Sequence, residues 1–352
     1  MPDANITAKT HTLQNDDIDA FYDYASDQGW IDGLPVIPPT RERVERMIAA
    51  SKRGAQDVVA PIPPNNAPAT IEKIAINAVM AGARPEYMPT IVTAIEACSD
   101  PKFNLYAVNT TTSSVAPMLI LNGPVRNQLA VNCGYSLFGG GNFRANATIG
   151  RAVRLVMRNI GGSIEGIVSK STMGQPGRIT ACIGEWEEKS PWPPFHVQRG
   201  FKLEQSCVTV YGSQGPTNIQ DVNCKSAKDL LKVLGHSLCI PASNKVLGYP
   251  GSGEIILVLC PDFAWIVSRD GWSVQDAKEY LLEVTSHIPL SYFPPVLFPW
   301  MEERKRMVNG EVPLAARPDQ FIILVGGGLG GLHAMACFPF AEGNAVTRAI
   351  PG

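Results

Sequence analysis

One stretch of this chain can be laid on another without a gap. "MLILNGPVRNQLAVNCGYS" at 118–136 falls on "IILVLCPDFAWIVSRDGWS" at 255–273. Pro124 meets Pro261, Gly134 meets Gly271, Ser136 meets Ser273, and the aromatic Tyr135 meets Trp272. Each copy reads as an apolar strand, a turn proline, a short helix and a glycine stop. In each, a helical segment precedes the strand by a similar distance. Chance can align a short run, but strand, Pro, Gly and Ser in one register point to internal duplication. The expected fold is therefore α/β, two pseudo-symmetric halves about a two-fold, with ligands favoured at the seam. A length of 352 residues suits two such halves.

The rest of the chain fits around that frame. Residues 1–16 read as a poorly ordered arm, 17–66 as a helical and extended segment and 67–162 as the first α/β half. Residues 163–225 read as a strand- and loop-rich middle segment, and 226–352 as the second α/β half. Apolar residues at helical spacing predict helices over 17–30, 41–53, 71–82 and 84–98, the third capped by Thr70 and stopped by Gly82. "LYAVNTTTSS" reads as extended, and "RITACIG" and "SCVTVYG" read as strands. The last third repeats helix, strand, helix, strand, ending on "FIILVGGG".

Composition removes several classes. A formal net charge of −2 gives no basic bias, so neither nucleic acid nor an anionic membrane is expected as partner. No apolar run approaches the length of a membrane span, and "MPDANITAKTHTLQNDD" has no apolar core of a signal peptide. The eight cysteines are irregularly spaced and form no C-x-x-C, which suits free thiols in a reducing cytoplasm. A homo-oligomer is the expected assembly.

The glycine-rich end, "FIILVGGGLGGLH", tempts a dinucleotide reading, since Gly326, Gly328 and Gly331 match G-x-G-x-x-G. That fold needs a helix, a second strand and an acid about 20 residues on. The chain after Gly331 is too short, with Pro339 and Pro351 and no strand of usable length expected, so no nicotinamide cofactor is predicted. Gly327 and Gly328 remain a candidate backbone approach to a ligand, with His333 behind them as a candidate acid or base. A buried, hydrogen-bonded histidine is the simpler account.

Three further constellations carry chemistry. In "FGGGNFRANATIGRAVRL" a helix is expected from about Ala147 or Thr148, with Asn146 as cap. Gly140, Gly141, Arg144, Asn146 and Thr148 would then hold an anion at its N-terminus. A glycine turn with solvated arginines is the alternative. In "GEWEEKSPWPPFHVQRGF", Glu185 and Glu188 lie beside tryptophans, where a carboxyl can be tuned to act as an acid. A solvated acidic turn is the plain alternative. Lys73 sits in the first turn of an otherwise apolar helix, where the dipole does not favour it, and so becomes a candidate ligand contact.

Taken together, "DGLPVIPPT", "ATIEKIAINAVMAGARPEYMP", "LILNGP", "RANATIGRAVRL", "GEWEEKSPWPPFHVQRGF" and "SRDGWS" resemble a largely uncharacterised bacterial family associated with UGSC-type (seleno)proteins. The resemblance covers most of the chain after residue 30. Those proteins carry a Sec/Cys-Gly-Ser-Cys motif beside or fused to the present type. This chain has no C-G-S-C, so it is not the redox component. The resemblance implies importance for Arg144–Arg151, Glu185–Trp192 and Gly326–His333 and brings no assigned reaction.

The resulting expectation is a lyase or hydrolase acting on a small organic carboxylate. Arg144 and the glycine loops would hold the anion, and His333, Glu185 or Glu188 would move a proton. No cofactor is expected. One alternative is a non-catalytic partner of a separate thiol or selenol redox protein. Another is a metalloenzyme using His196, His333 and glutamates to hold a divalent ion.

Overall fold

Runs such as "APMLILN" and "IILVL" contain no polar face, and strands of that kind must be covered on both sides. The computed structural model describes residues 5–13, 17–139, 143–248, 251–340 and 342–352. Its strands are β1 (Val58–Ile62), β2 (Ala67–Thr70), β3 (Ala116–Asn122), β4 (Cys182–Gly184), β5 (Cys207–Gln220), β6 (Ile255–Leu259), β7 (Phe321–Val325), β8 (His333–Pro339) and β9 (Val346–Ala349). β1 and β2 form a small antiparallel pair. The other seven make one mixed sheet in the order β4-β3-β5-β8-β6-β7, with β9 along the start of β5.

That order reads the same from either edge. β3 is parallel to β4 and antiparallel to β5, and β6 is parallel to β7 and antiparallel to β8. β5 and β8 pair antiparallel at the centre. The residues read as a middle segment, 163–225, supply β4 and β5. One structural half therefore contributes β3, β4 and β5 and the other β6, β7 and β8 in the same chain order, and the fold is α/β with helices around a curled mixed sheet. Helix Arg144–Asn159 lies between β3 and β4, and helices Pro261–Arg269 and Val274–Val284 lie between β6 and β7.

Alternation along the strands sorts the core into three parts. Met118, Ile120, Ile183, Tyr211, Ile256, Val258, Ile322, Leu324 and Cys337 share one inner cluster drawn from six strands. Their neighbours face outward. Leu119 and Leu121 pack with the helices of the first half, including Ile71–Met80 and Met88–Cys98. Leu257, Leu259, Ile323 and Val325 pack with the helices of the second half. The curl brings the ends of the two edge strands together, and the Trp186 N–H donates to the Val325 carbonyl at 2.7 Å.

Several local expectations change. Residues Leu105–Thr110 form a helix rather than a strand, because Asn104, in the left-handed region, caps it by accepting from Ala107 N–H. The chain after Gly331 does contain strands, β8 and β9. The glycines open directly onto an antiparallel strand, with no helix between. A dinucleotide crossover is therefore absent from this segment. At the N-terminus, the Thr7 and Ala8 N–H groups donate to the buried carboxylate of Glu72 at 2.9 and 2.7 Å.

Two glycines test how tightly the turns are held. Gly123 has φ +77°, and an added Cβ would lie 2.1 Å from the Gln205 carbonyl oxygen. Gly271 has φ +84° and open space around it. Gly271→Ala should cost about 1 kcal/mol from backbone conformation alone. Gly123→Ala must also displace backbone and should cost about 3 kcal/mol or more. Chemical denaturation of the two variants checks this, and equal losses would remove the close-approach argument.

Candidate functional site

The inner apolar rows end in polar or glycine positions. Row 256, 258 is followed by Cys260, row 322, 324 by Gly326, and row 337, 335 by His333 at the start of β8. These ends, with the loop 135–139 of the first half, enclose a cleft of about 420 Å³. Tyr135, Asn218, Cys260, Gly326–Gly328 and His333 contribute to its wall, so both halves of the chain line it. The two loops are tied by Gly327 N–H to the Cys133 carbonyl at 2.9 Å and by the Tyr135 hydroxyl to the Leu329 carbonyl at 3.1 Å. Gly328 must be small here, since the Tyr135 ring lies where its Cβ would be.

The cleft has a depth gradient. Leu137, Val258 and Cys260 are buried at its floor, whereas Tyr135, Asn218, Leu329 and His333 are exposed at its rim. The Gly330 N–H already donates to the Asp262 carboxylate at 2.9 Å. Among the described residues, the Gly328 and Leu329 N–H groups have no protein partner. The Cys260 thiol donates to the Gly331 carbonyl at 2.9 Å, and burial pushes its pKa up, so it is not a poised nucleophile.

A second polar set sits at the ends of the inner rows of β3 and β4. Asn122 Nδ2 bridges two carboxylates, Glu185 Oε2 at 2.5 Å and Glu187 Oε1 at 3.0 Å. Glu185 also accepts from Phe195 N–H at 2.8 Å, and burial pushes its carboxyl up to about 7. Arg126, itself buried, meets Glu187 at 2.9 Å and forks onto Glu188 at 3.0 and 3.1 Å. The same guanidinium donates to the Glu185 carbonyl at 2.8 Å. Its hydrogen bond holds the Glu188 carboxyl down at about 2. His196 is wholly buried with Nδ1 3.9 Å from Glu187 Oε1. Asn122 and Arg126 carry this cluster and were not anticipated. The one sequence signal was an amide and an arginine in the tight turn "LNGPVR", directly after an apolar strand.

The expected site residues therefore divide. His333, Gly327 and Gly328 line the cleft. Glu185 and Glu188 belong to the Arg126 cluster, and neither lines the cleft. Arg144 does not precede the helix but begins it, and its Nε donates to the Gly82 carbonyl at 2.9 Å. Asn146 is not the cap. It lies in the first turn, buried, and joins Asn132 N–H at 2.8 Å to the Cys182 carbonyl at 3.0 Å. Thr148 donates to its own helix at Arg144 O, 2.7 Å away. Lys73 is exposed and donates to the Pro68 carbonyl at 3.1 Å. Gly140 and Gly141 lie outside the described residues. A second hollow of about 520 Å³, near Glu86, Pro124, Glu204 and Gly352, contains none of the expected residues. Among the described residues no three His, Cys, Asp or Glu side chains converge as a metal set, and His196 and His333 occupy separate sites.

No family model matches this chain, and no curated protein matches it either.

Two outcomes follow from the carboxylate cluster. Glu185 has a folded pKa near 7, above its ordinary value near 4.5, so the fold favours its protonated form. Its contribution is fully present below about 4.5 and is lost as pH rises through about 7. Glu185→Gln cannot ionise, so its stability relative to the native chain should improve as pH rises from about 5 to about 8. Denaturant unfolding across that range checks it, and a pH-independent difference would sink the assignment. Glu188 runs the other way, contributing above about 4.5 and losing that contribution as pH falls toward about 2. Separately, Arg126→Met leaves Glu187 buried without its cation and should cost about 3–5 kcal/mol by the same measurement. Arg126→Lys should recover only part of that, because an ammonium lacks the fork.

Proposed function

We propose that this chain is an enzyme that moves a proton on a small organic carboxylate in the cleft between the two loops. The observation that carries the reading is the placing of His333 and the glycine loop on one cleft with residues of the other half. His333 is the proton carrier. The N–H groups of Gly328 and Leu329 take the substrate carboxylate, as Gly330 takes the carboxylate of Asp262. This replaces Arg144, whose guanidinium reaches the Gly82 carbonyl.

Addition–elimination fits the lining better than hydrolysis through a protein nucleophile. Among the described residues neither the Ser136 hydroxyl nor the Cys260 thiol hydrogen-bonds to the His333 imidazole, and the Cys260 thiol is engaged with the Gly331 carbonyl. In the elimination direction His333 takes the proton from the carbon beside the carboxylate. That electron pair forms the new carbon–carbon double bond. The hydroxyl on the next carbon leaves with its bonding pair, takes the proton back from the His333 imidazolium and departs as water. The repeated strand order supports descent of the two halves from one duplicated unit, which left its two loops facing each other.

The test uses 3-hydroxycarboxylates and the matching 2-enoates in D2O, with proton NMR following exchange beside the carboxylate. The native chain should catalyse exchange, and His333→Gln should lose about 100-fold or more while keeping its fold by circular dichroism. Equal exchange by both proteins would remove His333 from the chemistry. Exchange by neither, with tight capture of a thiol protein instead, would favour the partner-subunit reading.

A further inference from the structure

The same cleft carries information about what enters it. Three side chains stand abreast on neighbouring strands, because Val258 of β6 pairs with Met335 of β8, and Met335 pairs with Asn218 of β5. Val258 belongs to the inner apolar cluster and Met335 packs against it. His333 and Met335 are two apart on β8, so their side chains share a face about 7 Å apart. The cleft thus runs from a polar rim at His333 and Asn218 to an apolar floor at Met335, Val258 and Leu137.

Charge narrows the ligand further. Among the described residues neither Lys nor Arg lines the cleft. The Asp262 carboxylate already occupies one N–H of the glycine loop. A second or third negative charge on the ligand would meet neither Lys nor Arg among the described lining residues. A phosphate ester or a tricarboxylate is disfavoured on that ground. The volume of about 420 Å³ lies in the ordinary range for ligand pockets, well above what acetate fills.

We infer that the substrate is an amphipathic monocarboxylic acid, bound tail inward. The hydrocarbon lies along Met335 and Val258, and the carboxylate stays at the rim beside His333. This rests on the reading of the cleft as a carboxylate site and goes beyond it by fixing polarity, orientation and the single charge. Met335 is then the residue that sets chain length, because it faces the tail and its thioether arm adapts to shape.

Isothermal titration with acetate, butyrate, hexanoate and octanoate tests the inference, with citrate as the polyanion. Affinity should rise about fourfold per added methylene until the cleft is full, and citrate should bind no better than acetate. Met335→Ala lengthens the apolar floor and should move the plateau to a longer acid. Met335→Glu should abolish the chain-length dependence while the protein stays folded. Affinity that is flat with chain length, or a plateau unmoved by Met335→Ala, overturns the inference and leaves the carboxylate site standing. If no monocarboxylate binds at all, the site reading fails with it.

Discussion

The main sheet is buried on both faces, and most other features of the molecule depend on that. A flat sheet of six apolar strands would need two full layers of helices. This chain covers the outer face with helices from both halves and covers the inner face by curling the sheet on itself. The inner rows must end somewhere, and where they end the side chains turn polar or disappear into glycine. Asn122 and Glu185 close two rows, and Cys260, Gly326 and His333 close three others. Polar groups here follow from the geometry of the curl, because beyond the last apolar layer the chain meets water or its own loops.

The two polar ends are built differently. At β3 and β4 the carboxylates are held by one guanidinium, one bridging amide and backbone N–H groups. Such a set is rigid, and removing one member strands the others. At β6 and β7 the corresponding positions are a thiol and a glycine, and the gap is left open as a cleft. A shared topology therefore supports an ordered ion network at one end and an accessible hollow at the other. The difference lies in a few residues after each strand, "NGPVR" against "CPDFA", and "GEWEE" against "GGGLG".

Much of this was legible in the sequence, and the failures have physical causes. The match between 118–136 and 255–273 pointed to two like strand–turn–helix units, but its gapless register is one residue out along the strands. Leu121 accepts from Glu185 N–H as Leu259 accepts from Gly326 N–H, so Leu121 and not Asn122 stands where Leu259 does. The glycine loop and His333 were visible because glycine after an apolar strand is a local signal. β8 was missed because "HAMACFP" has no β-branched residue and contains a proline; pairing on both edges, to β5 and β6, overrides weak propensity. Arg126 escaped notice as a partner of the glutamates because about 60 residues of chain separate them, and side-chain pairing at that range leaves no periodic trace. Arg144 was misread by a shift of helix start. Placing the start three residues early turns a clamp facing a ligand into a strap onto the Gly82 carbonyl.

The inner cluster also governs how the molecule comes apart. Its members come from β3, β4 and β5 of one half and from β6, β7 and β8 of the other. Neither half owns a complete inner core. Cutting the chain between them would leave each piece with a bare apolar sheet face and the open flank of its central strand, a surface prone to edge pairing. The halves are thus interdependent in folding, and the repeat that marks them in the sequence does not mark two independently stable units.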